Sequence, residues 1–478
     1  MRTGRVERGP MDWRAFHDFT NHHPHRPGGH VADPARPRPL DPARMPQPFK
    51  EYIGETTSVD LVDGRQKWLT GSASDPRELD LEEISRLLIL GAGAKRFRRM
   101  SDRYFRTYAS AGALHPNEIY VAAASVDGLK AGLYHFHPRD KKLVMLGEGD
   151  PRPQLVEATG DDSLLDHPVI LAVSGIAWRT AWKYGPRGYR HLWWDSGMII
   201  ANLIALADSA GLPSRLLAHF IDERVNHLIG ADGRTEMALA LVGLGEGTPS
   251  SEPQYSAMNL TAAPISSNPF EFPEIIEVHR ETSSSSTADL RQETAKAGTG
   301  EPIEEIDKVI WKRGSTRRFD PSAPIKQGVM ENVLAYASAP IPCDWKAPMN
   351  KLFVIANAVD GLEPGAYQWE QQKLQRISGD PRSREAAGFL SLEQALGRDA
   401  AAVIFPMADL QAVVDGEGPR GYRTAQLEGA IMSGRLYLAA YAAGYGATGL
   451  TFFDEVVSKY FDTDREPMLE VALGAPAY

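Results

Sequence analysis

The chain is expected to be an α+β protein built from two copies of one domain, each a central mixed or antiparallel sheet flanked by helices. Three observations predict this: the length, an internal repeat held near one offset, and apolar runs that alternate between helical and strand lengths within each copy. At 478 residues the chain exceeds what a single core organises, and a prior of roughly 150 residues per domain suggests two large domains. The repeat is an ordered series of matches displaced by 230 to 233 residues. Val126-Asp-Gly-Leu129 answers Val359-Asp-Gly-Leu362, Gly132-Leu-Tyr-His-Phe136 answers Gly365-Ala-Tyr-Gln-Trp369, and Gly149-Asp-Pro-Arg152 answers Gly379-Asp-Pro-Arg382. Further on, Gly185-Pro-Arg-Gly-Tyr-Arg190 returns as Gly418-Pro-Arg-Gly-Tyr-Arg423, Ala210-Gly211 as Ala443-Gly444, and Phe220-Ile-Asp-Glu223 as Phe452-Phe-Asp-Glu455. Chance does not preserve an offset through so many blocks, and a duplicated unit of about 180 residues follows.

In chain order, residues 1–50 are rich in Pro, Arg and His and read as an extended arm. His17, His22, His23, His25 and His30 crowd it, but no carboxylate or cysteine stands beside them at a fixed helical spacing, so no metal site is assigned. The first domain is placed at 51–250. Apolar spacing there predicts helices over Leu81–Leu90 and Met198–Ala210, the second closed by Gly211 as a left-handed cap. Tyr120-Val121, Gly132–Phe136, Val169–Val173 and Leu239–Val242 are short apolar or aromatic runs of strand length. The small polar run Glu281-Thr-Ser-Ser-Ser-Ser-Thr-Ala-Asp289 and Gly298-Thr-Gly300 place a flexible linker at 251–300, and the second domain occupies 301–478.

A net charge of -10 argues against a protein that works by coating nucleic acid or anionic lipid. The single cysteine, Cys343, excludes an internal disulfide and a Cys-rich metal cluster, in keeping with a reducing compartment, and the cytoplasm is the expected location. No apolar run approaches the roughly 18 residues of a membrane span, and Arg2, Arg5 and Arg8 have no apolar stretch behind them as a signal peptide would.

Two segments carry candidate chemistry. Arg106-Thr-Tyr-Ala-Ser-Ala-Gly-Ala-Leu-His-Pro-Asn-Glu-Ile-Tyr120 packs small residues before a strand, where backbone at Ser110, Ala111 and Gly112 can approach a flat ligand closely. In the second copy Trp311-Lys-Arg-Gly-Ser-Thr-Arg-Arg-Phe319 has Arg313, Ser315 and Arg317 at alternate positions, so an extended segment would turn two guanidiniums and a hydroxyl the same way, as a phosphate clamp requires. The clamp has no counterpart around Gly64-Arg-Gln-Lys-Trp68, and the second copy's version of the small-residue loop, Ser338-Ala-Pro-Ile-Pro342, has two prolines where a backbone would need to approach a ring. The candidate clamp is thus found in the second copy and the small-residue loop in the first.

Tyr108-Ala-Ser-Ala-Gly-Ala-Leu-His-Pro-Asn-Glu118, followed by Gly132-Leu-Tyr-His-Phe-His-Pro138, resembles the flavin loop of SagB-type dehydrogenases of the nitroreductase superfamily. Lys183-Tyr184 ahead of Tyr189-Arg190, and Gly446-Ala-Thr-Gly-Leu-Thr-Phe-Phe-Asp454 in the second copy, extend the resemblance from about Phe49 onward, and Arg313, Ser315 and Arg317 match the superfamily's Arg-x-Ser-x-Arg signature. The resemblance implies two fused nitroreductase-like domains forming an intramolecular pseudo-dimer with an FMN cofactor. It also implies a composite site, in which Arg313, Ser315, Arg317, Gly449, Leu450 and Thr451 come from one half and Ser110, Ala111 and Gly112 from the other. One FMN per chain is therefore expected. The chain departs from many nitroreductases in ending at Gly474-Ala-Pro-Ala-Tyr478 without basic residues, which implies a weaker hold on the phosphate.

Lys183-Tyr184 matches the acid–base pair of SagB-type azoline dehydrogenases, whose reaction needs a base for the ring Cα proton while a hydride leaves Cβ for the flavin; either residue can serve. The aligned second-copy residues are Gly416 and Glu417. The implied function is oxidation of an azoline-like heterocycle or related C–N bond in a small-molecule or peptide-derived substrate, alongside other biosynthetic enzymes. An NAD(P)H-dependent nitro or quinone reductase and a non-catalytic flavin-binding scaffold in a biosynthetic complex are the alternatives. The Gly-Pro-Arg-Gly-Tyr-Arg repeat, being in both copies, is expected to serve packing or pseudo-symmetric contacts between lobes, with Arg190 and Arg423 structural.

Overall fold

The computed structural model describes residues 11–24, 40–70, 78–98, 103–247, 253–290 and 303–477. Arg2, Arg5, Arg8, His25, His30 and Gly298–Gly300 lie outside them. The expected extended arm instead carries helix α1 (Trp13–Phe19), opened by the Asp12 carboxylate, which accepts from Ala15 N at 2.7 Å. Trp13 and Phe16 share one face of it at a spacing of three. Both are buried, Phe16 edge-on to Tyr189 of the first copy and Trp13 against Tyr422 of the second. The arm is a strap across both copies, held by apolar contacts that its Pro- and His-rich composition hides.

The first copy continues with α2 (Leu81–Ala92), β1 (Asn117–Ala123), β2 (Gly132–His137), β3 (Lys142–Glu148), β4 (Val169–Ile176), α3 (Ala177–Tyr184), α4 (Gly188–Ser209), β5 (Ser214–Leu217) and β6 (Glu236–Leu244). These strands lie in the order β3–β2–β1–β4–β6–β5, every neighbour antiparallel. Within the expected linker, α5 (Pro273–Glu281) buries Ile275 and Val278.

The second copy repeats the plan: α6 (Ile306–Lys312), α7 (Gln327–Ala337), β7 (Asn350–Ala356), β8 (Gly365–Glu370), β9 (Lys373–Gly379), β10 (Ala402–Ala408), α8 (Leu410–Glu417), α9 (Gly421–Ala442), β11 (Gly446–Leu450) and β12 (Glu470–Gly474). Its sheet order, β9–β8–β7–β10–β12–β11, is the first copy's order again, also antiparallel throughout.

The long helices α4 and α9, 22 residues each, are buried along almost their whole length. A helix covered on every side lies between layers. They meet where Gly197 leaves no room for a Cβ beside Ala430, and Gly434 is similarly close to Ala201. Around this crossing the Gly-Pro-Arg-Gly-Tyr-Arg repeats exchange ion pairs, as expected of pseudo-symmetric contacts. Arg187 and Arg190 of the first copy hold Asp454 of the second at 3.0 and 2.8 Å, while Arg420 and Arg423 of the second hold Asp222 of the first at 2.5 and 2.6 Å. All six side chains are buried.

Candidate active site

The small-residue loop crosses from the pairing of Arg103–Arg106 to β1 through a single turn at Ala111–Ala113. Gly112, Ala113 and His115 all have positive φ, at +62°, +53° and +47°. Two non-glycine residues held in the left-handed region within so short a loop mark a conformation imposed by its surroundings. Those surroundings are specific. Ser110 Oγ accepts from His115 N at 2.9 Å, and Ala111 N donates to Asp195 Oδ1 of α4 at 3.3 Å.

Lys183 and Tyr184 end α3 and reach this loop. A Cβ built on Gly112 would stand 2.9 Å from Tyr184 Oη and 3.1 Å from Lys183 Nζ, so both polar tips lie directly against the glycine. Lys183 Nζ is 4.9 Å from the Tyr184 ring centre, and that ring packs edge-on against His191. Arg179, one turn back on α3, fixes the helix to the loop's end by donating to Glu118 at 2.5 Å and to His115 O at 3.3 Å. Burial opposes ionisation of Glu118, but the Arg179 charge and the hydrogen bond with His135 override it and hold the carboxyl well below the usual carboxylate range.

The second copy enters from the other side. Arg313 is buried and donates through Nε to Thr107 O at 3.1 Å, three residues before Ser110. Among the described residues no carboxylate pairs with it, and burial lowers its pKa. Arg313, Arg106 and Arg179 together act on buried His115, whose pKa is driven well down, first by desolvation and then by these charges. Glu118 answers the Arg179 charge, whereas Arg313 has no carboxylate of its own among the described residues. Ser315 hydrogen-bonds the Tyr437 hydroxyl, which also accepts from Gly449 N, so one tyrosine of α9 joins Ser315 to the Gly449–Thr451 segment. Lys95 of the first copy donates to Arg313 O at 2.9 Å.

Ser110, Ala111, Gly112, Lys183 and Tyr184 are thus gathered at one place, and Arg313 bonds Thr107 at the start of the loop. Arg317 is not: burial falls from Arg313 through half-buried Ser315 to exposed Arg317, because the segment lies in no sheet that would hold the alternation. Gly449 is exposed, Leu450 and Thr451 half-buried. Sequence reasoning missed Tyr437, Lys95 and Asp195, which act across long stretches of chain.

The pseudo-symmetric place is closed. Arg435 of α9 donates to the carbonyls of Ala339 and Pro340, and Trp369 donates to Ser338 Oγ at 2.9 Å. Leu217-Ala218-His219 corresponds in the repeat to Gly449-Leu450-Thr451. There the Asp344 carboxylate occupies the amides of Ala218 and His219, at 2.9 Å each, and Leu216 N donates to Pro342 O at 2.7 Å. The polar groups of that loop are spent on the protein itself.

Comparison with known proteins agrees with the duplication. The profile of the nitroreductase family matches residues 74–246 and again 310–475. A Methanocaldococcus jannaschii protein named as a nitroreductase is 28% identical over 152 residues, 32% of this chain and 74% of its own. The microcin B17-processing protein McbC of Escherichia coli is 30% identical over 147 residues, 30% of this chain and 54% of its own, so the match spans about half of McbC. Nearly the whole chain superposes on a crystal structure from Anabaena variabilis described as a nitroreductase, with a TM-score of 0.79 and 26% identity, covering 97% of this chain and 99% of that one.

Proposed function

Because the chain belongs to the nitroreductase family, whose profile accounts for both of its halves, we propose that it is an FMN-dependent dehydrogenase that oxidises an azoline-like ring or related C–N bond in a peptide-derived product. The observation that carries the proposal is the meeting of Lys183 Nζ and Tyr184 Oη over Gly112, in one half only, since the other half has Gly416 and Glu417 at those positions. A reductase whose flavin does all the chemistry has no need of a paired amine and phenol at its ring-facing loop. The similarity to McbC supports a peptide-derived substrate and work alongside other biosynthetic enzymes.

The residues present fit FMN. Buried Arg313, without a carboxylate among the described residues, suits a phosphate, with Ser315 two residues on and Arg317 exposed beyond it. Ser110, Ala111 and Gly112 offer close backbone approach on one side, and Gly449, Leu450 and Thr451 on the other. FMN, when bound, would supply the acceptor for one hydride, which carries both electrons of the oxidation. The chain supplies the rest: Lys183 or Tyr184 takes the Cα proton of the substrate, and the half-buried setting of both limits water at that proton. With the pseudo-symmetric loop closed by Arg435 and Asp344, one FMN per chain is expected.

Lys183→Ala and Tyr184→Phe test the assignment. We expect at least one to lower turnover of an azoline peptide by roughly 100-fold while FMN content and spectrum stay unchanged. Full activity in both variants, together with rapid reduction by NAD(P)H, would instead identify a plain reductase.

A further inference from the structure

The duplication supplies an internal control for one buried acid. Asp195 of α4 and Glu428 of α9 stand at equivalent positions, 233 residues apart, and both are wholly buried without an ion pair to a basic side chain among the described residues. Glu428 is saturated: Trp345 Nε1, Met349 N, Asn350 N and Asn350 Nδ2 donate to it at 2.8, 2.7, 2.8 and 3.1 Å. Among the described residues Asp195 receives only the amide of Ala111 and the hydroxyl of Ser110, both from the ring-facing loop, and its Oδ2 is buried without a hydrogen-bond partner. The copy whose loop is closed thus holds its acid with four donors from the end of that loop and the first residue of β7. The copy whose loop meets Lys183 and Tyr184 holds its acid, among the described residues, with two loop donors and leaves one oxygen unsatisfied.

We propose that Asp195 is a positioning residue: its carboxylate draws Ser110 and Ala111 onto α4 and thereby sets how closely Gly112 stands to Lys183 and Tyr184, and protonation of that carboxylate loosens the loop. Hydrogen bonds to an ionised acceptor are roughly twice as strong as those to a neutral one, so the grip differs between the two forms. Burial pushes the carboxyl up to about 7, which places the change near neutrality. The groups that act on it are Arg106, which favours the ionised form, and Tyr108, whose hydroxyl burial keeps protonated well above its ordinary range. What the loop faces rests on the function proposed above; the grip itself does not.

The test is hydrogen–deuterium exchange of the peptide spanning residues 108–116 in the full-length protein, with and without added FMN, from pH 5.5 to 8.5 after correction for intrinsic exchange. We expect protection to rise roughly fivefold across neutrality in the native chain, with Asp195→Asn flat and Asp195→Ala low throughout. A flat native profile, or an Asp195→Asn profile that still rises, overturns the proposal. If Asp195→Asn does not fold, the native profile alone decides. Failure to bind FMN at any pH would sink the flavin reading while leaving the exchange result free to stand.

Discussion

At position 112 two demands fall on one glycine: a φ of +62°, and no room for a side chain beside Tyr184 Oη and Lys183 Nζ. Alanine would cost about 1–2 kcal/mol in backbone strain. The colliding atoms are the ends of flexible side chains, so the fold would absorb the clash by displacing the catalytic candidates. Gly112→Ala is therefore expected to lower the melting temperature by only a few degrees and turnover by tenfold or more, measured by calorimetry and by assay of the same sample. This loop and the Lys183–Tyr184 pair could be read from the sequence because their residues are contiguous and their composition unusual. Asp195 and Tyr437 could not, since each sits in a helix and acts on chain far away. One trace of Asp195 was available, the acid at Glu428 under the same offset.

At the scale of elements, the helices and strands followed from apolar periodicity, and Gly211 does cap α4 with φ +68°. The arm and the segment 251–300 did not, because one or two apolar turns supply their packing. In α1 these are Trp13 and Phe16, and in α5 Ile275 and Val278. Nor did sequence show that α4 and α9 cross at Gly197, a contact that depends on two helices from different copies. Gly197→Val would force branched carbon against the backbone of Ala430 and Ile431, an overpacking worth about 1–3 kcal/mol or more. Because Arg313 reaches Thr107 across the same junction, the variant is expected to lose FMN at concentrations that saturate the native chain, as read by flavin absorbance after gel filtration.

For the whole molecule, the reciprocal ion pairs set the acid limit. Burial opposes ionisation of Asp222 and Asp454, but Arg420 with Arg423, and Arg187 with Arg190, override it and hold both carboxyls well below the usual range. A carboxyl depressed on folding adds stability above its unfolded pKa and loses it as pH falls through the folded one. Melting temperature should then drop steeply as pH is lowered from about 4. Asp454→Asn should remove part of that slope, and at pH 7 it should cost about 3–5 kcal/mol by leaving two buried guanidiniums unneutralised. These contacts have the pattern of a two-fold dimer interface carried within one chain. A dimer held by such contacts comes apart on dilution and takes its shared site with it. Here the tether keeps the partner at an effective concentration that no dilution alters, so cofactor binding should show no dependence on protein concentration, down to the lowest level at which flavin fluorescence can be read.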